Sequence, residues 1–453
     1  MKGSSRWRLL AVSLLSCVGL WLAPGCQHAP LAPGATERSV AFVGVSVLPM
    51  DREHVLQEQT VVVREGRIVA MGPQASITIP QDAERIDGRG RYLMPGLADF
   101  HVHLSSEEQL LSYLAHGVTS VFDLDGSPQR LRLRERIAQG KQPGPTLYVS
   151  SPLTDGDPPV FGGVVVVATP EQARQTVLEH KRAGYDALKV YNNLSPEVYA
   201  ALSEAAREQR LPLVGHVPRK VGLEAVLQAR QALLSHGEEY FHVDADPLHI
   251  PEEVRATKEA GTGVVPNLAR LASTQRMLAD LEGVFADPEA RYLHPDVLRN
   301  WRGSNPTRRL NLAEFTAREQ VKYPFVQQLT RSLAEAGVPL LLGTDSAQAG
   351  LFPGQAAHLE LRELVKAGLT PYQALVAGTR NAGAFITQHV DPAARFGTVA
   401  LGQRADLLLV QGNPLEDLGA LAQPLGVMVR GRWWTREQLQ KQRERSAAGF
   451  PKR

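Results

Sequence analysis

Cysteine is nearly absent. Of 453 residues only Cys17 and Cys26 are cysteine, both within the first twenty-six. The rest of the chain therefore has no disulfide and no thiolate, so a metal site there must use histidine, carboxylate or carbonyl groups. Excess charge of one sign is also missing. Forty-nine basic residues face 47 acidic ones, a formal net charge of +2, which does not suggest a nucleic-acid partner. There is no internal repeat and no long low-complexity tract. The single long apolar run, Leu9 to Leu22, is shorter than a membrane span needs. What remains is globular in character, 43% apolar and 21% charged. The length suits one large α/β domain plus a smaller one.

The N-terminus reads as a targeting segment. Lys2, Arg6 and Arg8 precede the apolar run, which ends in Leu22-Ala23-Pro24-Gly25-Cys26. Residues 1–26 resemble a bacterial lipoprotein signal. That implies a lipid anchor on Cys26 and a cell-envelope location, on the periplasmic side or in the outer membrane; ordinary secretion and an uncleaved anchor are the alternatives. Residues 27–37, rich in Pro and Ala, read as a tether.

From 38 to 92 the texture is β, with Glu65-Gly66 as a hairpin turn in TVVVREGRIVAMG. From Leu97 short apolar runs alternate with helical segments. Eight runs qualify as strands: LADFHVH, VTSVFDL, TLYVSSP, ALKVY, PLVGHV, ALLSHG, TGVVPN and PLLLGTD. Thr169-Pro170-Glu171-Gln172 and Thr370-Pro371-Tyr372-Gln373 predict capped helix starts, and Ser195-Pro196 a third. The expected fold class is α/β: a (β/α)8 TIM barrel over 93–390, with a small β-sandwich domain built from both ends of the mature chain. The second part of that domain is 391–435, where GTVALGQRADLLLV and LGVMVRGRWW return to β texture, and 436–453 is a polar tail. Residues 269–338 separate the seventh and eighth strands and predict extra helices near the site, with a lid as one role for them.

In such a barrel the active site lies at the C-terminal strand ends. His101 and His103 end the first strand, on one face of it. Lys189 ends the fourth, His216 the fifth, His236 the sixth and Asp345 the eighth. Each alone has an ordinary reading: a hydrogen-bonded histidine, a turn aspartate, a snorkelling lysine. Together they are a set at the ends of five different strands. Lys189 still needs an explanation, because lysine is rarely buried without something to compensate its charge.

The segments LMPGLADFHVHL, HGVTSVFDL, DALKVYNN, PLVGHVP, LLLGTDS, AGLTPYQALVAGTRNAGAF and GTVALGQRADLLLV, in this order and spacing, resemble the amidohydrolase superfamily. The resemblance is to its binuclear branch, related to prolidase-like dipeptidases and imidazolonepropionase-type proteins. One departure is LLSHGEEY, where relatives often have an acidic residue before the histidine. The resemblance implies two divalent metal ions, with Zn2+ suited to imidazole and carboxylate donors and Mn2+, Co2+ or Fe2+ as alternatives. His101, His103 and Asp345 would hold one ion, and His216 and His236 the other. Lys189, carboxylated by CO2, would bridge them, which requires its amine to lose a proton first. In such enzymes the metals activate water and polarise the substrate carbonyl, and the aspartate passes a proton to the leaving amine. That role falls to Asp345.

The reaction expected is hydrolysis of a C–N bond in a small amide, such as a dipeptide or N-acyl amino acid. A substrate carboxylate would need a cation, for which Arg219, Arg299, Arg302, Arg308 and Arg309 are candidates. Tyr191, Tyr240 and His242 are further candidates for substrate contact. Alternatives are a cyclic-amide, lactone or phosphotriester hydrolase on the same site, and a non-catalytic binding lipoprotein. A deaminase fits less well, because a mononuclear site has no use for Lys189. The sequence leaves a homo-oligomer open.

Overall fold

The computed structural model describes residues 39–451. The expected signal over 1–26, with Cys26, and the expected tether over 27–37 lie outside them. Strand β1 (Val40–Val47) pairs antiparallel with β2 (Leu56–Arg64), which pairs antiparallel with β3 (Arg67–Pro73). Glu65 and Gly66 make the expected hairpin turn, both at positive φ, 51° and 71°. That matches the right-handed twist of the flanking strands. On its other edge β1 forks. Its first half pairs parallel with β4 (Glu84–Asp87) and its last residues with β5 (Tyr92–Pro95). Gly44, at φ 69°, sits at the register break between them.

The central region carries parallel strands. β6 (Leu97–Val102), β7 (Val118–Asp123) and β8 (Thr146–Val149) make a three-stranded sheet. The short β9 (Thr154–Asp155) and β10 (Val165–Val166) join β11 (Leu188–Val190), β12 (Leu213–Gly215), β13 (Leu233–Ser235) and β14 (Gly263–Val265) in a six-stranded one. Parallel bridges link their edges: Ser150 to Ala187, Val264 to Leu340 and Ser346 to Val102. The eighth apolar run is thus bonded on both sides, through Leu341 N to Val264 O at 2.9 Å and Phe100 N to Leu342 O at 2.8 Å. It forms isolated bridges and no regular strand, and Asp345 at its end lies in the left-handed region at φ 64°.

Helices fill the intervals, and their starts are where the sequence predicts them. Pro170–Ala183 and Pro371–Ala377 begin in complete capping boxes, and Pro196–Glu208 is capped by Ser195. The long interval contains helices as expected, chiefly Leu268–Ala279, Pro295–Gly303 and Leu312–Ala336. Phe285, Leu293, Val297 and Trp301 pack there with Phe352. The Trp301 indole N–H donates to Ala347 O at 3.1 Å, just beyond Asp345.

The chain ends meet in one sheet. β15 (Leu407–Val410) lies antiparallel to β5, followed by β16 (Gly426–Val429) and β17 (Arg432–Thr435). The polar segment that follows is a helix, Arg436–Ala448. Thr435 and Gln438 cap it, Leu439 is buried, and Arg443 pairs with Glu289. Arg404 fastens this sheet to the parallel strands. Its guanidinium reaches Asp406 at 2.6 Å, Ser120 Oγ at 2.9 Å and the Tyr148 hydroxyl at 3.2 Å. Removing one member of a buried ion pair strands the other, at about 3–5 kcal/mol. Arg404→Ala is therefore expected to lower the unfolding free energy by an amount of that order, seen as a lower urea midpoint. An unchanged midpoint would mean that Asp406 is satisfied without it.

Candidate metal and hydrolytic site

His101 is on β6 and His103 just past its end, with their Nε2 atoms 3.2 Å apart. Asp345 Oδ1 lies 3.0 Å from His103 Nε2 and 3.4 Å from His101 Nε2. His236, beyond β13, stacks on His101 with ring centroids 4.5 Å apart, and His216, beyond β12, is 4.9 Å from His236. Lys189 lies within β11, only 1% exposed, with its Nζ 3.3 Å from Ser235 Oγ. The structure thus makes neighbours of His101, His103, Asp345, His236 and His216, all buried except the half-buried His103, with Lys189 buried on the strand beside β12.

Burial sets the charges. It holds the His101 and His236 imidazoles well below their ordinary value, helped by the cations around them. Both rings stay neutral and keep a lone pair. Burial also lowers His103, but the hydrogen bond and charge of Asp345 outweigh it and leave that ring raised. The Lys189 amine falls to about 8, because burial outweighs the attraction of Asp345 and Glu239.

Among the buried polar atoms of the site, His101 Nδ1 and His236 Nδ1 lack a hydrogen-bond partner, and Asp345 Oδ1 meets only the rings of His101 and His103. Such omissions cost about 1–3 kcal/mol each and call for an explanation. His101, His236 and Asp345 present donor atoms that all lie within 4.8 Å of one another, so the group can bind a metal ion. His236 and Asp345 also occupy the left-handed backbone region, at φ 71° and 64°. Non-glycine residues held there cost on the order of 1–3 kcal/mol and cluster at functional sites.

Neighbouring groups fix these side chains. Asp99 Oδ1 accepts the backbone N–H of Thr344 at 3.0 Å and of His101 at 3.3 Å, and its Oδ2 accepts the Thr344 hydroxyl at 2.7 Å. His216 Nδ1 faces Asn192 Oδ1 at 2.9 Å and Glu239 Oε1 at 3.2 Å. Both partners are oxygens, so Nδ1 donates and Nε2 keeps its lone pair. Gln348 donates to Asp345 Oδ2 at 2.5 Å, and Arg270 approaches the same oxygen at 3.8 Å. Arg270 is itself paired with Glu238, as is Lys322. Sequence reasoning missed Asp99, Glu238, Glu239, Arg270 and Gln348. The available signal was the acidic pair in LLSHGEEY, directly after His236.

The other candidates fare differently. The Tyr191 ring lies 4.2 Å from His216, at the site's edge, with Phe161 beyond it at 5.6 Å. Arg219 makes a two-pronged pair with Glu239, at 2.9 and 3.2 Å, so its guanidinium is already held. Tyr240 is not at the site: its ring is in the apolar core and its hydroxyl meets Thr257 Oγ1 at 2.8 Å. It follows the sixth apolar run closely in sequence, but the chain turns there into the helix Glu238–Val243, which carries the ring into the core. His242, Arg308 and Arg309 line a cavity of about 600 Å3 that reaches Gln348 and Arg270. Arg299 and Arg302 line a separate one and pair with Asp296 and Glu282.

The model of the Amidohydrolase family matches residues 92–434. The chain belongs to that family. Ochratoxinase of Aspergillus niger is 23% identical over 476 aligned positions, covering 88% of this chain and 87% of the relative. A putative prolidase from Bifidobacterium longum superposes with a TM-score of 0.71 at 24% identity, over 91% of this chain and all of the other. A bottromycin amidohydrolase superposes at 0.74 with 25% identity, over 91% of each chain. This amidohydrolase is therefore an enzyme of a superfamily that typically uses a divalent metal.

Partners that orient a metal-binding histidine commonly matter 10–100-fold for metal affinity. Glu239→Gln is expected to weaken divalent-metal binding within that range, measured by competition with a chelator. Unchanged affinity would mean that Glu239 serves only Arg219.

Proposed function

We propose that this amidohydrolase cleaves the amide or peptide bond of a small substrate, such as a dipeptide or N-acyl amino acid, at a binuclear metal site. The observation that carries the reading is the convergence of buried donor atoms of His101, His236 and Asp345 within 4.8 Å of one another, beside a lysine whose amine is lowered to about 8. The names of the relatives, a prolidase and an amidohydrolase among them, support an amide. The fold that goes with it is the (β/α)8 barrel: the two parallel sheets and residues 340–346, bridged edge to edge, are read as one closed ring. The fork of β1 onto β4 and β5 is read as the split of the terminal sheet into the two layers of a sandwich.

His101, His103 and Asp345 would hold one ion and His216 and His236 the other, with Lys189 between them as a carbamate. Only the neutral amine reacts with CO2, losing a proton as the N–C bond forms, so the lowered Lys189 favours that species. The bound ions supply an activated water and a polarised carbonyl. The protein's own part is proton transfer and position. Gln348 and Arg270 occupy Asp345 Oδ2. Oδ1 is thereby left to take the proton from the attacking water and return it to the amine that leaves. An amide nitrogen leaves poorly until it is protonated, so this return is essential. The signal over 1–26 supports a lipid-anchored enzyme of the cell envelope, with zinc the metal best suited to these donors.

Metal content per purified chain and a panel of dipeptides and N-acyl amino acids test the reading. About two ions per chain are expected, falling to about one or fewer in Lys189→Ala. Asp345→Asn should lower turnover at least about 100-fold. A metal-loaded protein that hydrolyses none of the panel would sink the proposal.

A further inference from the structure

The 600 Å3 cavity opens beside Asp345, between helices Leu268–Ala279 and Leu312–Ala336 and the turn between Pro295–Gly303 and the latter. It adjoins the Oδ2 side of Asp345, where Gln348 and Arg270 reach across from its wall. Its lining carries Arg270, Arg308, Arg309, Arg318 and Lys322 against only two carboxylates, Glu238 and Glu319. His242 adds no charge near neutral pH, since burial lowers it to about 4.

Both carboxylates are already taken within the wall. Lys322 Nζ is 2.8 Å from Glu238 and 2.5 Å from Glu319, and Arg270 is also on Glu238. Arg318 has no carboxylate partner among the described residues; it reaches the neutral His242 at 3.0 Å and lies over the Phe241 ring at 5.7 Å. Arg308 and Arg309 have no ion-pair partner among the described residues, and Arg309 lies over the Phe315 ring at 5.1 Å. An isolated surface arginine would be unremarkable, because water solvates it. Three guanidinium groups without a carboxylate, around one cavity that abuts the proton carrier, form a positive field with a preferred occupant. Guanidinium forks match carboxylates, and a single carboxylate would leave most of this charge uncompensated.

We infer that the cavity holds the leaving half of the substrate and that this half is an acidic amino acid, its two carboxylates received by Arg308, Arg309 and Arg318. The inference rests on the hydrolase reading above. It also uses the position of Asp345, whose Oδ1 returns the proton to the leaving amine while its Oδ2 is held by the cavity-wall residues Gln348 and Arg270.

Matched N-acyl pairs test it: N-acyl-glutamate against N-acyl-glutamine, and N-acyl-aspartate against N-acyl-asparagine. The acidic member should have the higher kcat/KM by about tenfold or more, mainly through KM, and the advantage should shrink as salt is raised. In the double variant Arg308→Gln/Arg309→Gln the ratio should fall to about threefold or less. A wild-type ratio near one, or an unchanged ratio in the variant, overturns the inference while leaving amide hydrolysis standing. If no member of either pair is cleaved, titration calorimetry with free glutamate and free glutamine decides. Tighter glutamate binding that the double variant loses supports the cavity assignment and moves the failure to the hydrolase reading. Equal binding, or none, overturns the inference.

Discussion

The candidate site depends on one buried carboxylate that takes no part in its chemistry. Asp99 holds the backbone of His101 with one oxygen and both the backbone and hydroxyl of Thr344 with its two. The strand that carries two histidines is thereby locked in register against the segment that carries Asp345. A slip of one residue in a strand turns every side chain to the opposite face. Here it would take His101 and His103 away from Asp345 and His236 together. Burial raises Asp99 to about 7, which is the physical cost of placing an acid there, and three hydrogen bonds oppose that cost.

From that register the remaining donors follow by adjacency. Lys189 lies within one of three neighbouring parallel strands, and His216 and His236 lie just past the ends of the other two. The insertion then covers one side. Trp301 binds the carbonyl of Ala347, Arg270 and Gln348 bind Asp345, and the same helices form the cationic cavity. Asp345 and the cavity wall are therefore parts of one packed unit.

Much of this was legible in the sequence, because period and punctuation are local properties. Seven of the eight apolar runs form strands, the Glu65-Gly66 turn is a hairpin, and the three capped helices begin at their Thr or Ser. The six ligand candidates were legible for a related reason: polar residues at the ends of apolar runs stand out. The eighth run was recognisable, but its irregularity was not, since nothing local says that Asp345 adopts a left-handed conformation. Glu239 and Arg270 were missed because their roles arise from partners on other elements. Arg219 looked like a free cation for the same reason, as its partner Glu239 comes from the helix after the next strand. Tyr240 was misplaced because the chain coils into a helix directly after His236 and carries the ring into the core.

The terminal sheet imposes an order in time as well as in space. β5 is made early, but one edge of it pairs with β15, near the far end of the chain. Until ribosomes have delivered residues 407–410, that edge presents unpaired backbone groups, a template for any extended strand nearby. The N-terminal half of the sheet thus cannot be completed during synthesis of the catalytic region. A nascent or truncated chain would present an adhesive strand that the finished molecule has closed with its own tail.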